Sequence, residues 1–236
     1  MKIDYQQINN RKIATTFNEA DSKKLVIICH GFTSSAVTDE HGWEKLTDEL
    51  VKRKINVLRF DQYGSGKSEG DFIESSFCDW IKTIIMITDK YIKKGYEVVL
   101  LGKSMGGSAV IVSTGELPKL KALVLWVPDL KEGESGLSPN KIYYQNGNTY
   151  KGLFFTEAHS ANITNALSKI AIPTLAIVAE EDEIVSKNSQ RALLAMQSPN
   201  IQLEIMQNWQ HSGWGDEGYE KIINLTCDWI ETQFNT

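Results

Sequence analysis

The stretch Val98-Val99-Leu100-Leu101-Gly102-Lys103-Ser104-Met105-Gly106-Gly107 decides the fold of this chain. An apolar run typical of a buried strand precedes a Gly-x-Ser-x-Gly pattern, and small residues that favour a helix follow it. In this context the pattern predicts a sharp turn from strand to helix that exposes the Ser104 hydroxyl as a nucleophile. The flanking glycines are expected because side chains there would collide with neighbouring elements. In isolation the pattern would indicate only a glycine-rich turn.

The composition predicts one α/β domain spanning residues 1–236. Hydrophobic residues make up 42% of the chain and charged residues 23%, and no apolar run is long enough to span a bilayer. The first residues lack the apolar segment and cleavage site of a secretory signal, so we expect a cytoplasmic protein. The net charge of −5 argues against a nucleic-acid partner, which requires clustered basic residues.

The cysteines indicate neither a disulfide framework nor a metal site. Cys29, Cys78 and Cys227 are far apart, odd in number and set in apolar or helix-like segments. We therefore expect reduced thiols in the protein core.

Short apolar runs alternate with longer segments of helical periodicity. The predicted strands cover residues 25–29, 55–60, 98–101, 122–127, 174–179 and 201–206. The predicted helices cover about residues 43–54, 77–94, 105–114, 186–197 and 217–233. This alternation indicates a mostly parallel central sheet with helices on both faces. Residues 3–8 and 12–17, joined at Asn9-Asn10, are predicted to form an antiparallel hairpin at the sheet edge.

Residues 129–165 interrupt this alternation. The segment is rich in Gly, Asn and Ser but also contains several aromatic residues, and we interpret it as an irregular inserted cap. Its aromatics either face a substrate or only pin a long surface excursion to the protein. The candidate residues of an apolar pocket are Trp126, Tyr143, Tyr144, Phe154, Phe155 and Trp214. Core packing would equally explain the tryptophans.

A serine nucleophile needs a histidine to accept its proton and a carboxylate to orient that histidine. His30 lies beside a glycine at the end of the first core strand, His41 in a polar loop and His159 in the insertion. His211 instead follows the last predicted strand by a short loop, which is expected to place its imidazole at the sheet edge that borders Ser104. His211 is therefore the candidate base.

The carboxylate is expected in the loop after the preceding strand. That loop contains four acidic residues: Glu180, Glu181, Asp182 and Glu183. We assign the orienting role to Asp182 and interpret most of this loop as a solvated acidic turn.

Two short matches to a phosphate-binding loop fail on spacing. Gly66-Lys67-Ser68 and Gly102-Lys103-Ser104 would require a first glycine at the positions occupied by Asp61 and Glu97. ATP binding is therefore not predicted.

The order serine, acid, histidine resembles that of the α/β-hydrolase superfamily, and the resemblance covers nearly the whole chain. Besides the Ser104 motif and His211, the matching segments are His30-Gly31-Phe32, the turn 61–68 and the Asp182-x-x-Val185 spacing. Within the superfamily the chain is most similar to small bacterial carboxylesterases of the cinnamoyl/feruloyl esterase and monoacylglycerol lipase type. Two positions differ, since Lys103 stands where histidine is often found and Ala179 where glycine is frequent.

The resemblance implies a serine hydrolase that cleaves carboxylic esters of small to medium acyl or aromatic acids through Ser104, His211 and Asp182. It also implies an oxyanion hole formed by the backbone N–H groups of Phe32 and Met105. This chemistry requires no metal or organic cofactor. An aminopeptidase-like amidase, a thioesterase and a non-catalytic ligand-binding protein of the same fold stay open as alternatives, and so does a homodimer.

Overall fold

The computed structural model describes residues 2–37, 42–131, 136–196 and 198–236. The strands in these ranges are β1 (Asp4–Ile8), β2 (Arg11–Asn18), β3 (Lys24–Cys29), β4 (Asn56–Phe60), β5 (Glu97–Lys103), β6 (Ala122–Trp126), β7 (Ile142–Gln145), β8 (Asn148–Lys151), β9 (Thr174–Ala179) and β10 (Ile201–Met206). The α-helices are α1 (Trp43–Lys52), α2 (Phe77–Lys93), α3 (Met105–Ser113), α4 (Leu153–Ser160), α5 (Ile163–Ser168), α6 (Lys187–Ala195) and α7 (Gly215–Asn235). A helix with the length and apolar character to cross a membrane does not occur among them.

Eight of the strands form one mixed sheet. Their spatial order is β1-β2-β4-β3-β5-β6-β9-β10. β2 pairs antiparallel with both β1 and β4, whereas all other neighbours in this sheet are parallel. The predictions of a mostly parallel α/β sheet and of an N-terminal antiparallel hairpin are therefore confirmed.

The predicted strands and helices differ from the observed ones mainly in their first and last residues. β9 and β10 begin and end at the predicted residues, while β5 is longer than predicted at both ends. Helix α6 ends at Ala195, and residue 197, its predicted end, lies outside the described residues. Helix α7 begins at Gly215, two residues before the predicted start.

The sequence of β5 explains why helices cover both faces of the sheet. Successive side chains of a strand point to opposite faces, so a continuous apolar run supplies both. Val98 and Leu100 pack in the core that includes residues of α2 and α3, and Val99 and Leu101 pack in the core that includes residues of α1 and α7. The strand that ends directly before Ser104 is thus buried on both sides.

The segment 129–165 is more regular than predicted, although its residues 132–135 lie outside the described ranges. β7 and β8 form a separate two-stranded antiparallel sheet, followed by α4 and the start of α5. Asn146-Gly147 joins the two strands with φ values of 48° and 78°. An Asn-Gly pair is a strong hairpin signal because both central positions of such a turn need positive φ. The expectation of an irregular segment is therefore wrong for residues 142–151, which form this hairpin.

The cysteines have two different environments. Cys29 and Cys227 are buried, and burial raises the pKa of the Cys227 thiol to about 12. Cys78 is exposed near the start of α2, so the prediction of a core thiol is wrong for this residue. All three thiols are free. His41 lies outside the described residues.

Candidate active site

Ser104 lies in the turn between β5 and α3. Its φ of 53° and ψ of −123° fall outside the regions that residues with a side chain ordinarily adopt. Backbone strain of this kind persists only where the surrounding structure enforces it, and it is concentrated at functional sites. The turn also makes Ser104 the residue that precedes the first turn of α3, whose N–H groups have no acceptor within the helix.

The glycines around Ser104 are required by close approach of the backbone. A Cβ atom at Gly102 would lie 2.7 Å from the Cα atom of Gly107. A Cβ atom at Gly106 would overlap the carbonyl oxygens of Cys29 and His30. Helix α3 can therefore begin directly against the end of β3 only when these positions lack side chains.

A chain of short contacts links Ser104, His211 and Asp182. His211 Nε2 lies 3.0 Å from Ser104 Oγ, and His211 Nδ1 lies 2.7 Å from Asp182 Oδ2. The structure therefore brings together the three residues that the sequence pattern selected. Both contacts lie within hydrogen-bond distance, the arrangement in which an imidazole can move a proton to and from the hydroxyl.

The sheet topology explains why these residues meet. Ser104 follows β5, Asp182 follows β9 and His211 follows β10. β5, β6, β9 and β10 are consecutive parallel strands, so their carboxyl ends lie at one edge of the sheet. Three loops from distant parts of the sequence therefore meet at that edge.

The carboxylate of Asp182 is held by the backbone of its own loop. The residue is 2% exposed, and its Oδ1 accepts hydrogen bonds from the N–H groups of Ile184 at 2.9 Å and Val185 at 2.8 Å. These bonds leave Oδ2 directed at His211. A carboxylate oxygen directed in this way can accept a hydrogen bond from an imidazole N–H.

Two further residues hold this loop and were not identified from the sequence. Glu183 Oε2 accepts a hydrogen bond from the backbone N–H of His211 at 3.1 Å. The Gln190 side chain donates to the carbonyl oxygens of Asp182 and Val185, both at 3.0 Å. The acidic loop is therefore not simply a solvated turn, because Glu183 ties it to the loop that contains His211.

The predicted oxyanion-hole residues both border Ser104. Met105 is the first residue of α3. Phe32 follows Gly31, where an added Cβ atom would lie 3.3 Å from the Cβ atom of Ser104. Phe32 and Met105 also line the same cavity as Ser104. The roles of their N–H groups stay predictions.

The loop that contains Phe32 is fixed by a buried carboxylate. Asp61 Oδ1 accepts hydrogen bonds from the Ser35 hydroxyl at 2.8 Å and from the N–H groups of Ala36 at 2.8 Å and Val37 at 3.0 Å. Its Oδ2 accepts from the N–H group of Lys67 at 2.8 Å. The turn after β4 therefore determines the shape of one side of the site.

A cavity of about 760 Å³ lies over Ser104 and His211. Its apolar lining consists mainly of Phe32, Met105, Phe155 and Ile184. Its polar lining includes Thr33, Ser34, Asp129, Lys131, Gln145, Asn146, Glu183 and Ser212. The prediction of an apolar pocket is therefore too simple, since polar groups surround a limited apolar area.

Of the six predicted pocket residues, Phe155 lies in the described lining of this cavity. Placing Trp126 in a substrate pocket is wrong, because its ring is fully buried in the core and its Nε1 donates to Thr226 Oγ1 at 3.0 Å. Phe154 is also a core residue, packed against Phe77 and Trp80. A sequence pattern cannot distinguish apolar residues of the core, such as these two, from apolar residues that line a pocket.

The remaining three aromatics also lie outside the described cavity lining. Tyr143 stacks on Tyr150, and Tyr144 is 72% exposed. The ring of Trp214 packs against Trp126 and Trp209. In the insertion, aromatic side chains therefore pack mainly against one another and against the core. Phe155 also faces the cavity.

The tip of the β7–β8 hairpin contacts the loop that contains Phe32. Asn146 Nδ2 donates a hydrogen bond to Thr33 Oγ1 at 3.1 Å. Gln145 and Asn146 both line the cavity. This part of the insertion thus forms a wall of the candidate site.

The residue before Ser104 has an unusual environment. Lys103 is 3% exposed, and its Nζ has no hydrogen-bond partner among the described residues. Its Nζ lies 4.6 Å from the centre of the Trp214 ring. Burial lowers the pKa of Lys103 to about 8, and the nearby charge of Asp182 opposes part of that change.

Within the described ranges, no group of three or more histidine, cysteine, aspartate or glutamate side chains could hold a metal ion. At this edge of the sheet the structure brings together the hydroxyl of Ser104, the imidazole of His211 and the carboxylate of Asp182.

The sheet order and the position of Ser104 are those of the α/β hydrolases. Residues 20–145 match the family model described as serine aminopeptidase, S33. The match covers more than half of the chain, and the chain belongs to this family of α/β hydrolases.

Solved structures with the same fold cover nearly all of the chain. Est1E from Butyrivibrio proteoclasticus with ferulic acid bound has a TM-score of 0.86 and 23% identity, with 99% of this chain and 100% of that chain covered. The monoacylglycerol lipase of Paleococcus ferrophilus has a TM-score of 0.76 and 17% identity, with 99% and 100% covered. At these identities the likeness establishes the fold.

A curated relative matches part of the chain. Human monoglyceride lipase is 32% identical over 101 residues, which are 41% of this chain and 31% of the human protein. The match therefore spans about a third of the human protein's length.

Proposed function

We propose that this protein is a serine esterase that hydrolyses carboxylic esters of small to medium acyl or aromatic acids. The observation that supports this most directly is the contact chain from Ser104 Oγ through His211 to Asp182, with distances of 3.0 and 2.7 Å. A hydroxyl is a weak nucleophile near neutral pH, and this arrangement is the one that activates it.

In the proposed reaction Ser104 Oγ attacks the ester carbonyl carbon while His211 Nε2 accepts the hydroxyl proton. The carbonyl oxygen becomes an oxyanion, to which the N–H groups of Phe32 and Met105 would donate. Collapse of the intermediate breaks the bond to the alcohol, which leaves with the proton from His211. Water then attacks the acyl-enzyme, His211 accepts its proton, and the acid is released as Ser104 regains its hydrogen.

Asp182 supports both proton transfers without reacting itself. Its Oδ2 faces His211 Nδ1, so the imidazole tautomer with hydrogen on Nδ1 is favoured and Nε2 is free to accept a proton. The same carboxylate stabilises the imidazolium that forms during the attack.

The cavity supports a substrate of modest size with both polar and apolar parts. Phe155 and Ile184 offer apolar contact for an acyl or aromatic group, while Asn146 and Thr33 offer hydrogen-bonding groups nearby. The structural neighbours point in the same direction, since one holds ferulic acid and another is a monoacylglycerol lipase.

Cleavage of amides is the second candidate, because the matched family model is described as a serine aminopeptidase. The same proton transfers cleave esters, thioesters and amides, so the contacts at Ser104 do not distinguish them. Matched ester, thioester and aminoacyl-amide substrates with one common acyl group would do so. Faster cleavage of the amide than of the matched ester would contradict the esterase proposal and favour an amidase.

The decisive experiment is hydrolysis of p-nitrophenyl esters from acetate to long acyl chains by the wild type and by Ser104→Ala. Turnover that is lost in Ser104→Ala supports the proposal, and the chain-length optimum measures the pocket. Ser168→Ala is the matched control, because Ser168 is an exposed serine of α5 outside the described cavity lining. Equal background rates in the wild type and Ser104→Ala would reject the esterase proposal in favour of amide or thioester cleavage or a binding role.

A further inference from the structure

Glu183 is a carboxylate of the candidate active site that takes no part in the proposed reaction. It follows Asp182 in the loop after β9 and lines the cavity over Ser104. Its Oε2 accepts a hydrogen bond from the backbone N–H of His211 at 3.1 Å. A carboxylate offers about four acceptor positions, so this single bond leaves most of them available to a ligand in the cavity.

The charges that line this cavity do not cancel. They belong to four residues, Lys103, Asp129, Lys131 and Glu183. Asp129 Oδ2 and Lys131 Nζ form an ion pair at 2.5 Å, and the nearby carboxylate of Asp182 opposes the charge of Lys103. Glu183 has no ion-pair partner among the residues that the structure describes, so one negative charge of the lining is left unbalanced.

The remaining cation of this loop does not contact Glu183. Lys187 Nζ lies 3.4 Å from the carbonyl oxygen of Asp182 and 3.1 Å from Gln190 Oε1. Lys187 also lies outside the described lining of the cavity. The carboxylate of Glu183 is therefore open to a cationic group of a bound substrate.

The proton transfers of the proposed reaction determine which part of the substrate lies beside Glu183. His211 Nε2 gives its proton to the leaving alcohol, so the alcohol oxygen must come within hydrogen-bond reach of that nitrogen. Glu183 binds the backbone of His211, and the residues that follow each of them, Ile184 and Ser212, also line the cavity. The alcohol part of an ester is therefore the part that lies next to Glu183.

We propose that Glu183 is a specificity-determining residue that favours esters whose alcohol carries a positive charge. The inference rests on the proposed function, because the transfer of a proton from His211 is what places the alcohol beside Glu183. Ile184, which is 58% exposed, offers apolar contact to alkyl groups on such a cation. Glu183 is itself exposed, so solvent weakens the attraction and the expected preference is several-fold.

The test compares the butyrate ester of choline with that of its neutral isostere, in which a tert-butyl group replaces the trimethylammonium group. The two alcohols have nearly the same shape, and the trimethylammonium group is charged at every pH. We expect the ratio of kcat/KM for the two esters to fall about fivefold from the wild type to Glu183→Gln. The amide of Glu183→Gln still offers an oxygen to the N–H of His211.

The comparison of ratios removes two other effects. The ammonium makes the choline ester intrinsically more reactive, and this difference is the same for both enzymes. A displaced His211 would slow both esters and therefore leaves the ratio unchanged. A fall in the ratio thus reports the charge of Glu183, whereas a merely structural role of Glu183 would lower both rates together.

Glu181→Gln is the matched control. Glu181 is an exposed carboxylate of the same loop and lies outside the described lining of the cavity. Its replacement should leave the ratio within about 1.5-fold of the wild type, because the charge of an exposed residue is screened. An equal fall of the ratio in Glu181→Gln and Glu183→Gln would assign the effect to the net charge of the loop and overturn the proposal.

A cation in the acid part of the ester tests the assignment to the alcohol. The substrates are butyl esters of two acids of equal length, one ending in a trimethylammonium group and the other in a tert-butyl group. Glu183→Gln should leave the ratio of kcat/KM for this pair within about 1.5-fold of the wild type. A fall as large as that for the choline pair would overturn the assignment of Glu183 to the leaving alcohol.

A second measurement uses the wild type alone and does not depend on how the variants fold. Raising the ionic strength from about 0.01 M to about 0.5 M should lower the ratio for the choline pair at least twofold, because salt screens exposed charges. A ratio that does not change with salt, or that is the same in folded Glu183→Gln and the wild type, overturns the proposal. Loss of hydrolysis of both esters in Ser104→Ala, together with an unchanged ratio in Glu183→Gln, would reject this inference and leave the esterase proposal standing.

Discussion

Ser104 Oγ and His211 Nε2 lie 3.0 Å apart although 107 residues separate them in the sequence. The contact exists because β5 and β10 run parallel in one sheet and end at the same edge. Everything proposed for this site depends on that contact and on the second contact from His211 to Asp182.

Replacing the carboxylate tests the orienting role. Asp182→Asn is expected to keep the fold but to lower kcat for ester hydrolysis by about 10⁴-fold, because the amide favours the wrong imidazole tautomer. Glu181→Gln changes an exposed carboxyl in the same loop and should leave kcat within about twofold of the wild type. Steady-state kinetics of the two variants give the comparison. A comparable loss in both would assign the effect to the net charge of the loop.

The burial of Lys103 predicts a difference in stability between the wild type and Lys103→Met that depends on pH. Burial lowers its pKa to about 8, whereas an unfolded lysine titrates near 10.4. Below pH 8 Lys103 is charged in the folded protein, and the burial of this charge lowers the free energy of unfolding. Between these values the unfolded chain binds more protons, so the contribution of Lys103 to stability becomes less unfavourable as pH rises. At pH 7, Lys103→Met should therefore be more stable by up to about 3 kcal/mol.

This advantage of Lys103→Met should shrink between pH 8 and about pH 10.4. Urea unfolding of the wild type and the variant at pH 7 and pH 10 measures the difference, in which groups common to both proteins cancel. Lys119→Met, at an exposed position, should show neither effect. A pH-independent difference for Lys103→Met would mean that packing, and not charge, explains the change.

The glycines of the turn at Ser104 lead to a steric prediction. Gly102→Ala would place a Cβ atom 2.7 Å from the Cα atom of Gly107, so it should destabilise the protein by about 1–3 kcal/mol and displace Ser104. Gly115→Ala meets nothing within 4 Å and should be close to neutral. Thermal unfolding and ester hydrolysis distinguish the two variants. Unchanged stability of Gly102→Ala would contradict the close approach of α3 to β5.

Substitutions of Phe155 and Trp126 are expected to have different effects on the preference between esters. Phe155→Ala should raise KM for aromatic esters several-fold and affect acetate esters less, because Phe155 lines the cavity. Trp126→Phe should lower stability by about 1–3 kcal/mol, because Thr226 loses its buried partner, with no change in preference between esters. Kinetics on both ester classes, with unfolding curves, test the pair. A changed ester preference in Trp126→Phe would contradict its position in the core.

The central strands and helices could be predicted because their patterns are local. The apolar run of β5, for example, indicates a strand buried on both faces without any knowledge of its neighbours. The hairpin at Asn146-Gly147 has an equally local signal, because the turn needs positive φ at both of these positions. The exposure of Cys78, by contrast, depends on which face of α2 meets the sheet.

The candidate site shows the same division. Ser104 was identifiable from its flanking glycines, and His211 and Asp182 from their positions after two successive strands of the same sheet. The roles of Glu183, Gln190 and Asp61 could not be identified from the sequence. Each of these residues holds a loop whose path is determined by contacts distant in sequence.

The sequence by itself determined the order along the chain of the strands of the central sheet and of the helices between them, the turn at Ser104 and the choice of the three candidate catalytic residues. These depend on periodicity, on glycine and on the position of a residue relative to a strand. Only the tertiary structure decided that Phe155 faces the cavity while Phe154 and Trp126 are buried in the core. It also decided that Lys103 is enclosed beside Trp214. The physical reason is that burial and charge environment arise from packing between segments far apart in the sequence, which no local pattern encodes.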